Sequence, residues 1–132
     1  MKLIEWNDSF SVNNETIDKQ HKGLFELLNG LSTEFDEQKE KRLLETTIEK
    51  LLDYTKYHFS TEEYLMRQAD YPDYEKHKGE HEIFVKKVKD FLSNFIDGKE
   101  ALTSNIIEFL MEWIKNHISQ TDKKYTPFLA KK

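Results

Sequence analysis

The chain has 132 residues, 37% of them hydrophobic and 34% charged, which suits a single domain that buries an adequate core without help. A net charge of -5, with no clustered Lys and Arg, excludes the phosphate-binding surface that nucleic-acid recognition requires. There is no cysteine, which excludes disulfides, thiolate zinc sites and iron–sulfur clusters.

The N-terminus, MKLIEWNDSF, places Glu5 directly after a short apolar run. It lacks the longer apolar core of a signal peptide, so a cytoplasmic location is expected. The first fifteen or so residues carry no helical period and read as an arm laid over the body of the protein, anchored by Trp6 and Phe10. From about residue 17 to 36, His21, Leu24, Leu28, Leu31 and Phe35 fall on one face of a first helix, with Thr16 as its expected N-cap. A second, longer stripe over 40–67 contains Leu44, Ile48, Leu51, Thr55, His58, Glu62 and Leu65, flanked by Leu52, Phe59 and Met66. The segment ADYPDY then breaks the chain, and Pro72 is expected in the first turn of the next helix.

That third helix, 72–96, carries His77, His81, Phe84, Val88, Phe91 and Phe95, and Asp97-Gly98 closes it. Thr103 caps a fourth, 104–120, whose inner face is read as Ile106, Leu110, Trp113 and His117, with Leu102 packing back on Ile107. Its apolar run IIEFLMEWI is interrupted by Glu108 and Glu112 and cannot span a bilayer. The tail after Asp122 reads as irregular and held down by Tyr125 and Phe128. Helices of about 20 residues are roughly 30 Å long. With short connections they predict an all-α, up-down-up-down antiparallel four-helix bundle, with an N-terminal arm and a short C-terminal tail, as a single domain over 1–132.

All five histidines lie on the stripes that face the core. His58 and Glu62 are i, i+4, as are His77 and His81, a spacing that stacks two side chains one turn apart on one face. Burying imidazoles and a carboxylate among hydrocarbon is costly unless something partners them. A metal does so, and nitrogen with carboxylate oxygen and no sulfur suits iron, manganese or zinc. If Glu62 and Asp122 each bridge two ions together with a hydroxide, three histidines complete six positions on one ion and two histidines fill five on the other. One position is then left for a small molecule. Asp122 is five residues beyond His117, so a regular helix would turn it about 140° from the histidine face. The helix must loosen or end there, and a widened turn is one way.

Taken in this order, IDKQHKGLF, YHFSTEEYLM, YPDYEKHKGEHEIF and WIKNHISQTD resemble the hemerythrins, in particular the single-domain bacteriohemerythrins. The resemblance covers nearly the whole chain. It implies two non-haem iron ions bridged by hydroxide or oxide, with His77, His81 and His117 on the six-coordinate iron. His21 and His58 would bind the iron where dioxygen docks, and Glu62 and Asp122 would bridge. Phe59, Phe84, Trp113 and Ile114 match the family's oxygen-pocket positions, and core packing would serve each of them equally well. The function implied is reversible oxygen binding for transport, storage or delivery, not enzymatic turnover. A di-iron oxidase, a peroxide- or nitric-oxide-handling enzyme and an oxygen sensor are the alternatives. Dioxygen is the expected partner of a monomer or weak oligomer, with an oxygen-consuming enzyme as candidate recipient and no nucleic-acid or membrane partner.

Overall fold

The computed structural model describes residues 4–130, and at position 130 the backbone alone; the outermost residues of the expected arm and tail lie outside this range. Four helices carry the fold: α1 (Glu15–Asp36), α2 (Lys41–Gln68), α3 (Tyr74–Ile96) and α4 (Ser104–Asn116). They form an all-α bundle in which α1 packs against α2 and α4, and α2 against α3. Phe84 of α3 closes the ring by stacking on Trp113 of α4 at 4.0 Å between centroids. Among the described residues no helix is long and apolar enough to cross a membrane.

The helix ends follow local chemistry, with two departures from expectation. The cap of α1 is Asn14, whose side chain accepts from the Ile17 amide at 3.1 Å. Thr16 lies inside the helix, because the amide side chain two residues earlier already satisfies an orphan donor there. Pro72 sits in the turn before α3, which starts at Tyr74; the chain needs that turn to reverse direction after Asp70, at φ 53°. Thr103 caps α4 by accepting from the Ile106 amide at 3.3 Å. Gly98 takes φ 75° after α3, a conformation that costs other residues a Cβ clash.

The inner faces are rotated slightly from the predicted stripes. Phe35, Leu65, Phe91, Ile106 and Trp113 are only half-buried, whereas Leu92, Ile107, Met111 and Ile114 are buried. A tilted bundle presents more than a single line of positions to the core, which moves neighbouring residues inward. The arm holds down as expected. Phe10 is buried, Trp6 packs at 5.8 Å on Phe25, and Asp18 accepts from both the Ser11 hydroxyl and the Val12 amide. The tail is more regular than expected: a 3-10 turn, Asp122–Tyr125, leads into a short helix, α5 (Thr126–Ala130).

The apolar interior comes in two parts, and their division positions the site. The larger cluster contains Leu24, Phe59, Phe84, Ile114 and Ile118; the smaller contains Val12, Ile17, Met66, Tyr71 and Tyr125. Five of the histidines and carboxylates fall between members of the two clusters along the chain: His21 between Ile17 and Leu24, Glu62 between Phe59 and Met66, His77 and His81 between Tyr71 and Phe84, and Asp122 between Ile118 and Tyr125. A polar layer cuts across the bundle at one level.

Candidate metal centre

All seven predicted side chains are buried in that layer: His21, His58, Glu62, His77, His81, His117 and Asp122. They form two overlapping groups with ligand atoms within 4.8 Å of one another, one of Glu62, His77, His81, His117 and Asp122, the other of His21, His58, Glu62 and Asp122. The i, i+4 pairs arise from regular helix in α2 and α3. Asp122 arrives by a widened turn, one of the ways its spacing left open. A π-turn spans His117–Thr121, and the Asp122 amide donates to the His117 carbonyl five residues back. In a turn of that width a residue five positions on returns close to its starting face. The next turn is 3-10, and its three-residue repeat stacks Tyr125 over Asp122.

The first group is tightly spaced. His81 Nε2 lies 3.0 Å from His117 Nε2, which lies 3.2 Å from His77 Nε2. Asp122 Oδ1 is 3.0 Å from His77 Nε2 and 3.1 Å from His117 Nε2, and Glu62 Oε1 is 3.3 Å from His81 Nε2. Adjacent ligands on an octahedral ion with bonds of about 2.1 Å stand about 3.0 Å apart, against about 3.4 Å for a tetrahedral ion. In the second group His21 Nε2 is 3.1 Å from Asp122 Oδ2 and 3.6 Å from Glu62 Oε2, and His58 Nε2 is 3.3 Å from Glu62 Oε1. Despite these approaches both Asp122 oxygens, Glu62 Oε1 and His21 Nε2 make no hydrogen bond. Buried polar atoms converging without bonding one another are costly unless a cation stands between them. The donor set therefore fits a metal, and the spacings of 3.0–3.1 Å within the first group are compatible with six-coordinate geometry.

Two further contacts prepare the imidazoles. His58 Nδ1 donates to the Gln20 amide oxygen at 2.8 Å, and His81 Nδ1 meets the Glu63 carboxylate at 2.9 Å. With Nδ1 so engaged, Nε2 is the nitrogen that each ring turns toward the centre. Gln20 and Glu63 were not legible as site residues. Each reaches across to another helix, and neither falls on a periodic stripe of ligands. Tyr125 was read only as an anchor of the tail; its hydroxyl donates to Glu62 Oε2, and its ring stacks on His77 at 5.5 Å.

The electrostatics are those of opposite charges packed without water. Burial works against a charged His21, yet Asp122 and Glu62 outweigh it and raise its pKa to about 9. His81 is likewise opposed by burial and raised to about 9 by Glu62 and Glu63. Burial dominates at His58 and lowers it to about 4. Burial also disfavours the charged forms of Glu62 and Asp122, but the surrounding imidazoles hold both carboxyls below their ordinary range. Burial and the two carboxylates push the Tyr125 phenol well above its usual value, so it remains a proton donor.

The predicted oxygen-pocket residues form an aromatic wall beside this layer. Phe59 stacks on His81 at 3.6 Å with the planes 2° apart, and Trp113 stacks on His117 at 4.5 Å and 11°. Phe84 fills the space behind them, at 6.3 Å from Phe59, and Ile114 is fully buried. The wall leans on the histidines of the first group. Phe59 also reaches the second, with its ring 5.9 Å from His58.

Fold and site together define a helical-bundle protein with a buried non-haem metal centre of histidine and carboxylate ligands. The family model described as "Hemerythrin HHE cation binding domain" matches residues 12–129. The chain is 34% identical to a bacteriohemerythrin of Stenotrophomonas maltophilia, over 95% of this chain and 80% of that protein. It is 34% identical to one of Clostridium acetobutylicum over 93% and 98%, and 33% identical to a myohemerythrin of Theromyzon tessulatum over 92% and 89%. A wild-type hemerythrin crystal structure superposes with a TM-score of 0.92 at 30% identity, over 98% of this chain and 99% of that one. The chain belongs to the hemerythrin family. Family and ligand set make it a non-haem iron, oxygen-binding protein.

Proposed function

We propose that the chain binds dioxygen reversibly at a two-iron centre. In this reading His77, His81 and His117 hold one ion and His21 and His58 the other, while Glu62, Asp122 and a hydroxide or oxide serve both. The observation that carries it is the divided Asp122 carboxylate: Oδ1 faces His77 and His117, Oδ2 faces His21, and neither oxygen has a hydrogen bond. A carboxylate shared in this way between two histidine groups is suited to bridging. Three histidines would then complete the donors of one ion, and two would leave the other one donor short.

When bound, the ferrous ions supply the electrons that oxygen takes up on binding and returns on leaving. The protein's own contribution is positional and electrostatic. Gln20 and Glu63 fix the tautomers of His58 and His81, and the packed wall of Phe59, Phe84, Trp113 and Ile114 keeps water from the layer. Two carboxylates and one hydroxide against two ferrous ions leave a net charge of about +1, which stabilises ferric iron less than a carboxylate-rich site would. Similarity to proteins named bacteriohemerythrin and myohemerythrin supports oxygen binding; the carrier, storage or delivery role, with an oxygen-consuming enzyme as recipient, is part of the proposal.

The test is spectroscopic. Untagged protein, loaded anaerobically with ferrous salt, is taken through repeated oxygen and argon cycles while its visible spectrum is followed. A carrier returns to its colourless reduced state on each cycle; a single irreversible change with release of product refutes reversible binding and supports the enzyme instead. Protein that takes up no iron refutes the centre itself.

A further inference from the structure

The Tyr125 side chain is fully buried. Its ring lies against His77 at 5.5 Å and edge-on to Tyr71 at 6.4 Å, contacts that a phenylalanine would keep. A buried hydroxyl is a cost unless its hydrogen bond is used. Here it is used on one oxygen of Glu62 and not the other. Oε2 accepts from Tyr125, while Oε1 has no hydrogen bond and lies 3.3 Å from the Nε2 atoms of both His58 and His81. The two Glu62 oxygens are thereby made inequivalent by the protein before any metal arrives. The backbone explains the contact: the π-turn that brings Asp122 into the layer is followed at once by the 3-10 turn that places Tyr125 above it.

A donor bonded to a carboxylate draws charge from it, and in a water-free layer that effect is strong. A carboxylate so restrained gives less charge to a metal and so stabilises the higher oxidation state less. We propose that Tyr125 is a positioning residue for the metal centre, whose hydroxyl holds Glu62 Oε2, limits the charge Glu62 donates and so favours the reduced, oxygen-binding form. This deepens the proposed function and rests on it.

The experiment compares the full-length wild type with Tyr125→Phe, both loaded anaerobically with ferrous iron, by iron content per chain and by midpoint potential. Iron uptake is expected to be the same. The ferric form of the variant is expected to gain about tenfold over the ferrous, which is about 59 mV to lower potential for one electron, with faster autoxidation. Equal potentials in two iron-loaded proteins overturn the role of Tyr125 while leaving the function intact. A wild type that binds no iron instead overturns the function, and this inference with it. Should the phenylalanine variant not fold, 3-fluorotyrosine placed at position 125 decides the matter. It is nearly isosteric and a stronger donor, so the potential is expected to rise, and an unchanged potential overturns the proposal.

Discussion

Metal uptake by the metal-free protein should release protons, in a number set by the layer's electrostatics. His21 and His81 are each raised to about 9, so at pH 7 both are roughly 99% protonated. Their Nε2 atoms are the ones turned toward Glu62 and Asp122, and a metal must displace the protons from those atoms to bind there. His58, lowered to about 4, is already neutral and contributes none. His21 and His81 therefore account for about two protons per loaded chain at pH 7. Because they fall in different ligand groups, the affinity for each ion should rise about tenfold per pH unit from 7 toward 9. Calorimetric titration with a redox-silent ion such as zinc, repeated in buffers of different ionisation enthalpy, counts the protons directly. A total below one would refute the charge assignment. The same shifts give the metal-free protein a stability maximum. The folded pKa of His21 and His81 lies above the unfolded value of about 6.5, so their stabilisation is full below that pH and is lost as pH rises through 9. His58 lies below it, so between about 4 and 6.5 protonation favours the unfolded chain. Melting temperature should therefore peak near pH 6.5 and fall on both sides.

Three substitutions follow from the same geometry. Glu62→Gln removes a buried charge shared by both ligand groups, and should lose the second metal while the bundle stays folded; metal content near two per chain in the variant counts against bridging. Gln20→Leu takes away the acceptor that orients His58, and should weaken metal binding about 10- to 100-fold with little change in helicity; an unchanged affinity would mean that packing alone sets the ring. Phe84→Ala opens a cavity behind the aromatic wall at a residue only 1% exposed and should cost about 3–5 kcal/mol by chemical denaturation. A loss under about 1 kcal/mol would show that the wall collapses to fill the space.

The sequence by itself determined the four helices and the level at which the polar layer crosses them. Amphipathic period and end signals are local, and an i, i+4 pair such as His77 and His81 needs only one regular helix to share a face. Even a departure from regular helix before Asp122 was legible, because five residues at a fixed rotation per residue require the helix to loosen or end if Asp122 is to face the centre. That it loosens into a π-turn was decided by the structure. Tertiary structure alone decided what lies beside each ligand. Gln20 meets His58 across 38 positions and Tyr125 meets Glu62 across 63, and no periodicity within one helix encodes a partner on another. The same limit hides Phe59 on His81, a contact that only the packing of α2 on α3 creates, whereas Trp113 and His117 are four residues apart and stack along one helical segment. Period fixes which face a side chain takes; the crossing and rotation of whole helices fix what it touches there.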